Sequence, residues 1–102
     1  MKDLLNNFHK AFESKVRLGI MSALMVNHSL DFNSLKTLLE VTDGNLASHL
    51  KALEKVEFIK VEKQFIGRKP NTKYVATTIG RGAFNDHLNA LERLLEARNK
   101  KP

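Results

Sequence analysis

Residues 42–55 read T-D-G-N-L-A-S-H-L-K-A-L-E-K, and residues 58–74 read F-I-K-V-E-K-Q-F-I-G-R-K-P-N-T-K-Y. The first run is apolar at helical spacing and opens on turn and capping residues. The second holds two β-rich runs joined by a basic loop that Gly67 and Pro70 mark. A helix followed at once by a cationic hairpin suits a module that lays the helix in a DNA groove and grips phosphate with the hairpin.

At 100° per residue, a helix over residues 43–56 gathers Leu46, Leu50 and Leu53 on one side, which must face a core. The opposite side presents Gly44, Ser48, Lys51 and Lys55, with Asn45 and Ala52 beside them. Small residues let a helix approach base edges closely. Asn and Ser exchange hydrogen bonds there, and lysines reach phosphate. The helix N-terminus adds free backbone N–H groups and a partial positive charge. Asp43 opposes an anionic partner and reads instead as a first-turn carboxylate favoured by the helix dipole, with Thr42 as the cap.

Outward from this stretch, residues 3–12 place Leu4, Leu5, Phe8 and Phe12 at helical spacing. Ser14 caps a second helix with Val16, Ile20, Ala23 and Leu24 on one face, ended by Asn27-His28-Ser29. Leu30-Asp31-Phe32 suffices only for a very short strand. Asn33 is the expected cap of a third helix, with Leu35, Leu38 and Leu39 inward. A tight turn at residues 41–44 then leads into the 43–56 helix, as in a helix-turn-helix pair. Strands are expected over 58–66 and 72–76, with a loop over 67–71. Thr77 or Thr78 caps a last helix whose Phe84, Leu88, Leu91 and Leu95 form a narrow apolar seam.

The chain has 102 residues, which favours a single domain over 1–102, and 42% of them are hydrophobic, enough for a modest core. With no cysteine, disulfides and thiolate metal sites are excluded. No run resembles a signal peptide or approaches the roughly 20 apolar residues of a membrane span, so a cytoplasmic protein with no membrane partner is expected. Net charge is +6, and its placement is informative. Residues 1–59 carry seven Lys/Arg and seven Asp/Glu, whereas 60–73 carry Lys60, Lys63, Arg68, Lys69 and Lys73 against Glu62 alone. Such a local excess fits a polyanionic partner, or else a solvated loop that keeps the protein soluble.

Five segments together resemble the winged-helix regulators of the MarR and ArsR type, closest to the small stand-alone winged-helix group related to them. They are V-R-L-G-I-M-S-A-L (16–24), F-N-S-L-K-T-L-L (32–39), T-D-G-N-L-A-S-H-L-K-A-L-E (42–54), G-R-K-P-N-T-K-Y (67–74) and T-T-I-G-R-G-A-F (77–84). The resemblance implies a mainly α fold with a small β-hairpin, the winged helix-turn-helix, in which 43–56 is the recognition helix in the major groove and 67–73 the basic wing on the DNA backbone or in the minor groove. It implies double-stranded DNA as partner. Thr42, Gly44, Asn45, Ser48, His49, Lys51 and Lys55 fall on the recognition helix and its cap, and Arg68, Lys69 and Lys73 on the wing. Arg17 matches a position that approaches the DNA backbone. The first and last helices match dimerisation elements, so Leu4, Phe8, Phe84, Leu88, Leu91 and Leu95 are the expected homodimer residues.

His49 lies toward the flank of the core face and either contacts DNA or bonds locally to position the helix. Ser48-His49 is no catalytic pair, because adjacent residues diverge by 100° and no third group orients the imidazole; no enzymatic activity is expected. His9, His28, His49 and His87 have no metal-ligand spacing, and Asp86-His87 departs from the Asp-x-His pair of some related sensors, so no metal or cofactor is expected. The Leu88–Leu91–Leu95 seam serves either a dimer or packing on the first helix, or both. The sequence thus reads as a sequence-specific DNA-binding transcriptional regulator, a repressor. The alternative is a winged-helix module that docks an acidic protein.

Overall fold

The computed structural model describes residues 9–99. A 3-10 turn (Lys10–Glu13) leads into α1 (Lys15–Val26), β1 (Leu30–Asp31), α2 (Phe32–Leu39), α3 (Asp43–Lys55), β2 (Ile59–Ile66), β3 (Lys69–Ala76) and α4 (Thr78–Asn99). The helix expected over residues 3–12 lies largely outside the described residues. Its last residue, Phe12, sits buried in the 3-10 turn.

Local chemistry starts each helix. Ser14 Oγ accepts from the Arg17 N–H at 3.2 Å, and Thr42 Oγ1 accepts from the Asn45 N–H at 3.2 Å, so both expected caps form. The cap of α2 is Asp31, not Asn33: Asp31 Oδ1 accepts from the Ser34 N–H at 2.7 Å. Both residue types cap well. The choice follows from β1, whose Asp31 pairs with Lys73 and so ends the strand one residue before the helix. Leu35 is buried and Leu39, about 40° from it around the helix, is half-buried, whereas Leu38, about 100° from Leu39, is exposed rather than inward.

α3 ends in a Schellman arrangement. The Phe58 N–H donates to Leu53 O at 3.0 Å and the Glu57 N–H to Glu54 O at 2.9 Å, with Glu57 at φ 62°. Thr77 ties α4 to this corner: its hydroxyl donates to Glu57 O at 2.6 Å and accepts from the Gly80 N–H at 2.9 Å. Gly80 rests directly on the Phe58 carbonyl, which any Cβ there would strike. Arg81, one residue on, donates to Leu24 O at 3.4 Å and Met25 O at 3.5 Å, supplying the cation that the last turn of α1 lacks.

The sheet order is β1-β3-β2, all antiparallel. β3 begins at Lys69 rather than Thr72, and Ile66 pairs with Lys69, so the expected loop over 67–71 shrinks to Gly67-Arg68. Gly67 takes φ +64° while Arg68 does not have positive φ, the pattern of a type II′ hairpin. Pro70 fits inside the strand because β1 reaches only Lys73 and Tyr74, leaving β3 an edge at Pro70 where no N–H is needed.

The core joins Ile20, Met21 and Leu24 of α1, Leu35 of α2 and Leu46, Leu50 and Leu53 of α3. Phe12, Phe58 and Phe84 close it in an aromatic cluster, with Phe12 5.5 Å from each of the other two rings. Phe84 is therefore a core residue of one chain rather than part of an exposed seam. Leu88, Leu91 and Leu95 are exposed.

Candidate nucleic-acid interface

α3 is held by its leucine face, and its other faces are set by what borders them. Gly44, Asn45, Ala47, Ser48, Lys51 and Lys55 are all exposed, as the helical phase required. Gly44 has no atom within 4 Å of where a Cβ would stand, so the first turn is open to close approach. Thr42 is committed as the cap through its oxygen, which leaves its hydroxyl hydrogen to donate.

The carboxylate at the start of this face is answered locally. Lys36 Nζ lies 2.7 Å from Asp43 Oδ1, across the turn between α2 and α3. An exposed pair of this kind adds little stability, about 0–1 kcal/mol. Its effect is to cancel the charge that would face an anion. Lys36 carries no signal of this role in the sequence, because its relation to Asp43 depends on how the two helices cross.

The two flanks of α3 differ. On one, Ala47, Ser48, Lys51 and Glu54 form a shallow cleft with Tyr74 of β3. Burial, then Glu54, pushes the Tyr74 phenol up from its ordinary value, so it remains a neutral hydrogen-bond donor. Tyr74 has no expected role from sequence either, although it closes the quoted stretch. On the other flank, Ala52, Lys55 and Val56 border a cleft shared with His9, Lys10, Ala11 and Arg17. Arg17 is half-buried there, and its Nε donates to Ala11 O at 2.8 Å, tying the 3-10 turn to α1. His49 is half-buried as well; burial, then the Arg17 charge, lowers its pKa.

The wing cations fall into two groups. Lys73 is half-buried and pairs across the sheet with both Glu62 and Asp31. Hydrogen bonds from Ser34, and more weakly the Lys73 charge, hold the Asp31 carboxyl below its ordinary value. Lys60 lies 3.8 Å from Glu62. These two lysines are thus set against carboxylates at the base of the hairpin. Lys63, Arg68 and Lys69 stand exposed towards its tip, and none of them is in an ion pair among the described residues. The same tip exposes Phe65 and Ile66.

Among the described residues no group of three or more His, Asp or Glu could hold a metal ion, and no helix is long and apolar enough to cross a membrane. The dimer residues Leu4 and Phe8 lie outside the described residues.

A two-stranded wing beside a helix-turn-helix, with β1 completing the sheet, defines the winged-helix class. Residues 16–95 match the family model for the winged helix DNA-binding domain, and the chain belongs to that family. It is 38% identical over 85 residues to an uncharacterized protein of Methanocaldococcus jannaschii, covering 83% of this chain and 92% of that protein. Its fold is similar to that of a transcriptional regulator homologue from Pyrococcus horikoshii, at TM-score 0.84 and 28% identity over 95% of this chain and 97% of that one. It also resembles an Enterococcus faecalis protein described as a transcriptional regulator of the MarR family, at TM-score 0.71 and 23% identity, covering 97% and 84% of the two chains. The MarR-like, mainly helical fold expected from sequence is the fold observed.

Proposed function

We propose that this protein is a sequence-specific double-stranded DNA-binding transcriptional regulator that acts in the cytoplasm as a homodimeric repressor. The observation that carries the reading is the exposed side of α3. Small and polar at Gly44, Asn45 and Ser48 and cationic at Lys51 and Lys55, it has its one N-terminal carboxylate paired with Lys36. The family membership and the exposed cations of the wing tip support it further.

In this reading α3 enters the major groove with Asn45 and Ser48 at base edges and Lys51 and Lys55 at phosphates. Arg68 and Lys69 hold the flanking backbone through the wing. Lys73 and Arg17 contribute field more than direct contact, because one faces carboxylates and the other holds the Ala11 carbonyl. Two copies related by a two-fold axis, joined through Leu88, Leu91 and Leu95, would present two recognition helices one turn of DNA apart.

Selection of bound duplexes from a random pool tests the reading. It should enrich two inverted half-sites about 10–11 base pairs apart. Asn45→Ala and Ser48→Ala should each change which bases are enriched. A pool with no enrichment, or the same enrichment with both variants, contradicts readout by α3.

A further inference from the structure

Phe65 is 75% exposed at the wing tip, and among the described residues no ring contact to it is formed. Its place in the sheet gives that exposure a direction. Cross-strand partners share a face of an antiparallel sheet. Val61 pairs with Tyr74, Lys63 with Thr72, and Phe65 with Pro70. Tyr74 lines the cleft with Ser48 and Lys51 of α3, so this face is the one turned toward the recognition helix. Ile66 belongs to the opposite face.

The spacing along this face matters. At about 3.3 Å per residue, Lys63 lies about 7 Å and Phe65 about 13 Å beyond Val61. The major groove is about 12 Å wide and the minor groove about 6 Å. With α3 in the major groove, Lys63 stands over the bounding phosphates and Phe65 reaches the adjoining minor groove. Residues 63–74 contain no Asp or Glu, so nothing on this arm repels the backbone it crosses. The hairpin is stiffened at this point by the Phe65–Pro70 pairing and the two-residue turn.

We infer that Phe65 is an apolar minor-groove contact, packing its ring against sugars and base edges beside the site read by α3. The inference rests on the DNA-binding reading and adds to it a contribution that is not electrostatic. Apolar packing against a groove favours easily deformed pyrimidine–purine steps, so the preferred flank should contain TA or CA/TG.

Two variants test it. The chain has no tryptophan, so Phe65→Trp places a single indole reporter at the tip. On titration with mixed-sequence 24-base-pair duplex DNA, followed in parallel by anisotropy of the labelled duplex, its emission should shift to shorter wavelength and acrylamide quenching should fall. Phe65→Ala should weaken binding about tenfold while the salt dependence keeps its wild-type slope. Binding that leaves the emission and quenching of the indole reporter unchanged overturns the inference. So does unaltered affinity in Phe65→Ala, including the case where only self-association changes. If the wild-type protein binds no duplex at all, the DNA-binding reading falls and this inference falls with it.

Discussion

His87 lies buried on α4, its ring centroid 5.3 Å from that of Phe12. Burial, and then the neighbouring His9, lowers its pKa below the ordinary 6.5. The folded chain therefore holds His87 neutral where the unfolded chain would already take up a proton. Its contribution to stability is complete above the unfolded value near 6.5, is lost as pH falls below it, and levels off beneath the folded value. The thermal midpoint should drop from about pH 7 to about pH 5, and His87→Gln should reduce that drop. A dependence identical in the two proteins would exclude His87 as its source. Sequence identifies this histidine but not its surroundings, because the Phe12 ring against it comes from the 3-10 turn, far from α4 in the chain. The caps divide along similar lines. Thr42 is legible because its rival, Asp43, is equally well placed in the first turn, where the helix dipole favours a carboxylate. The choice of Asp31 over Asn33 is not, since strand pairing with Lys73 decides it.

At the scale of elements, α3 and the hairpin are legible because their signals are local: leucine phase in one, β-rich runs around Gly67 in the other. The wing turn is shorter than its residues suggest, since Pro70 ends most strands and is tolerated here only on an unpaired edge. The seam on α4 is half legible; spacing groups Phe84 with the leucines, but the helix points Phe84 into the core. The corner joining α3 to α4 carries no sequence signal, because Glu57 occupies a left-handed position that glycine usually fills. Glu57→Gly should therefore stabilise the protein by about 0.5–1 kcal/mol, whereas Gly80→Ala, which drives a methyl into the Phe58 carbonyl, should cost about 2–3 kcal/mol. Denaturant midpoints at constant slope would measure both. A neutral Gly80→Ala would mean that α4 does not rest on that carbonyl.

Across the whole molecule, two surfaces stand out. Lys63, Arg68 and Lys69 gather at the wing tip beside the exposed Phe65 and Ile66, and Leu88, Leu91 and Leu95 are exposed along α4. The first 59 residues are neutral, and part of the hairpin charge is answered by Glu62 and Asp31, so the cations left to meet a partner are fewer than composition suggests. With about three phosphate contacts per wing, a dimer displaces about six counterions through its wings, which contribute about −5 to the slope of log affinity against log salt, beside the share of Lys51 and Lys55; a monomer would give about half as much. The most direct test is the affinity of this protein for duplex DNA, measured by anisotropy across a series of salt concentrations beside the Arg68→Ala/Lys69→Ala variant. The account predicts that the variant, which lacks four of these contacts per dimer, shows a slope shallower by about 3–4 for every sequence alike. Equal slopes in the two proteins, or no binding at low salt, would contradict it.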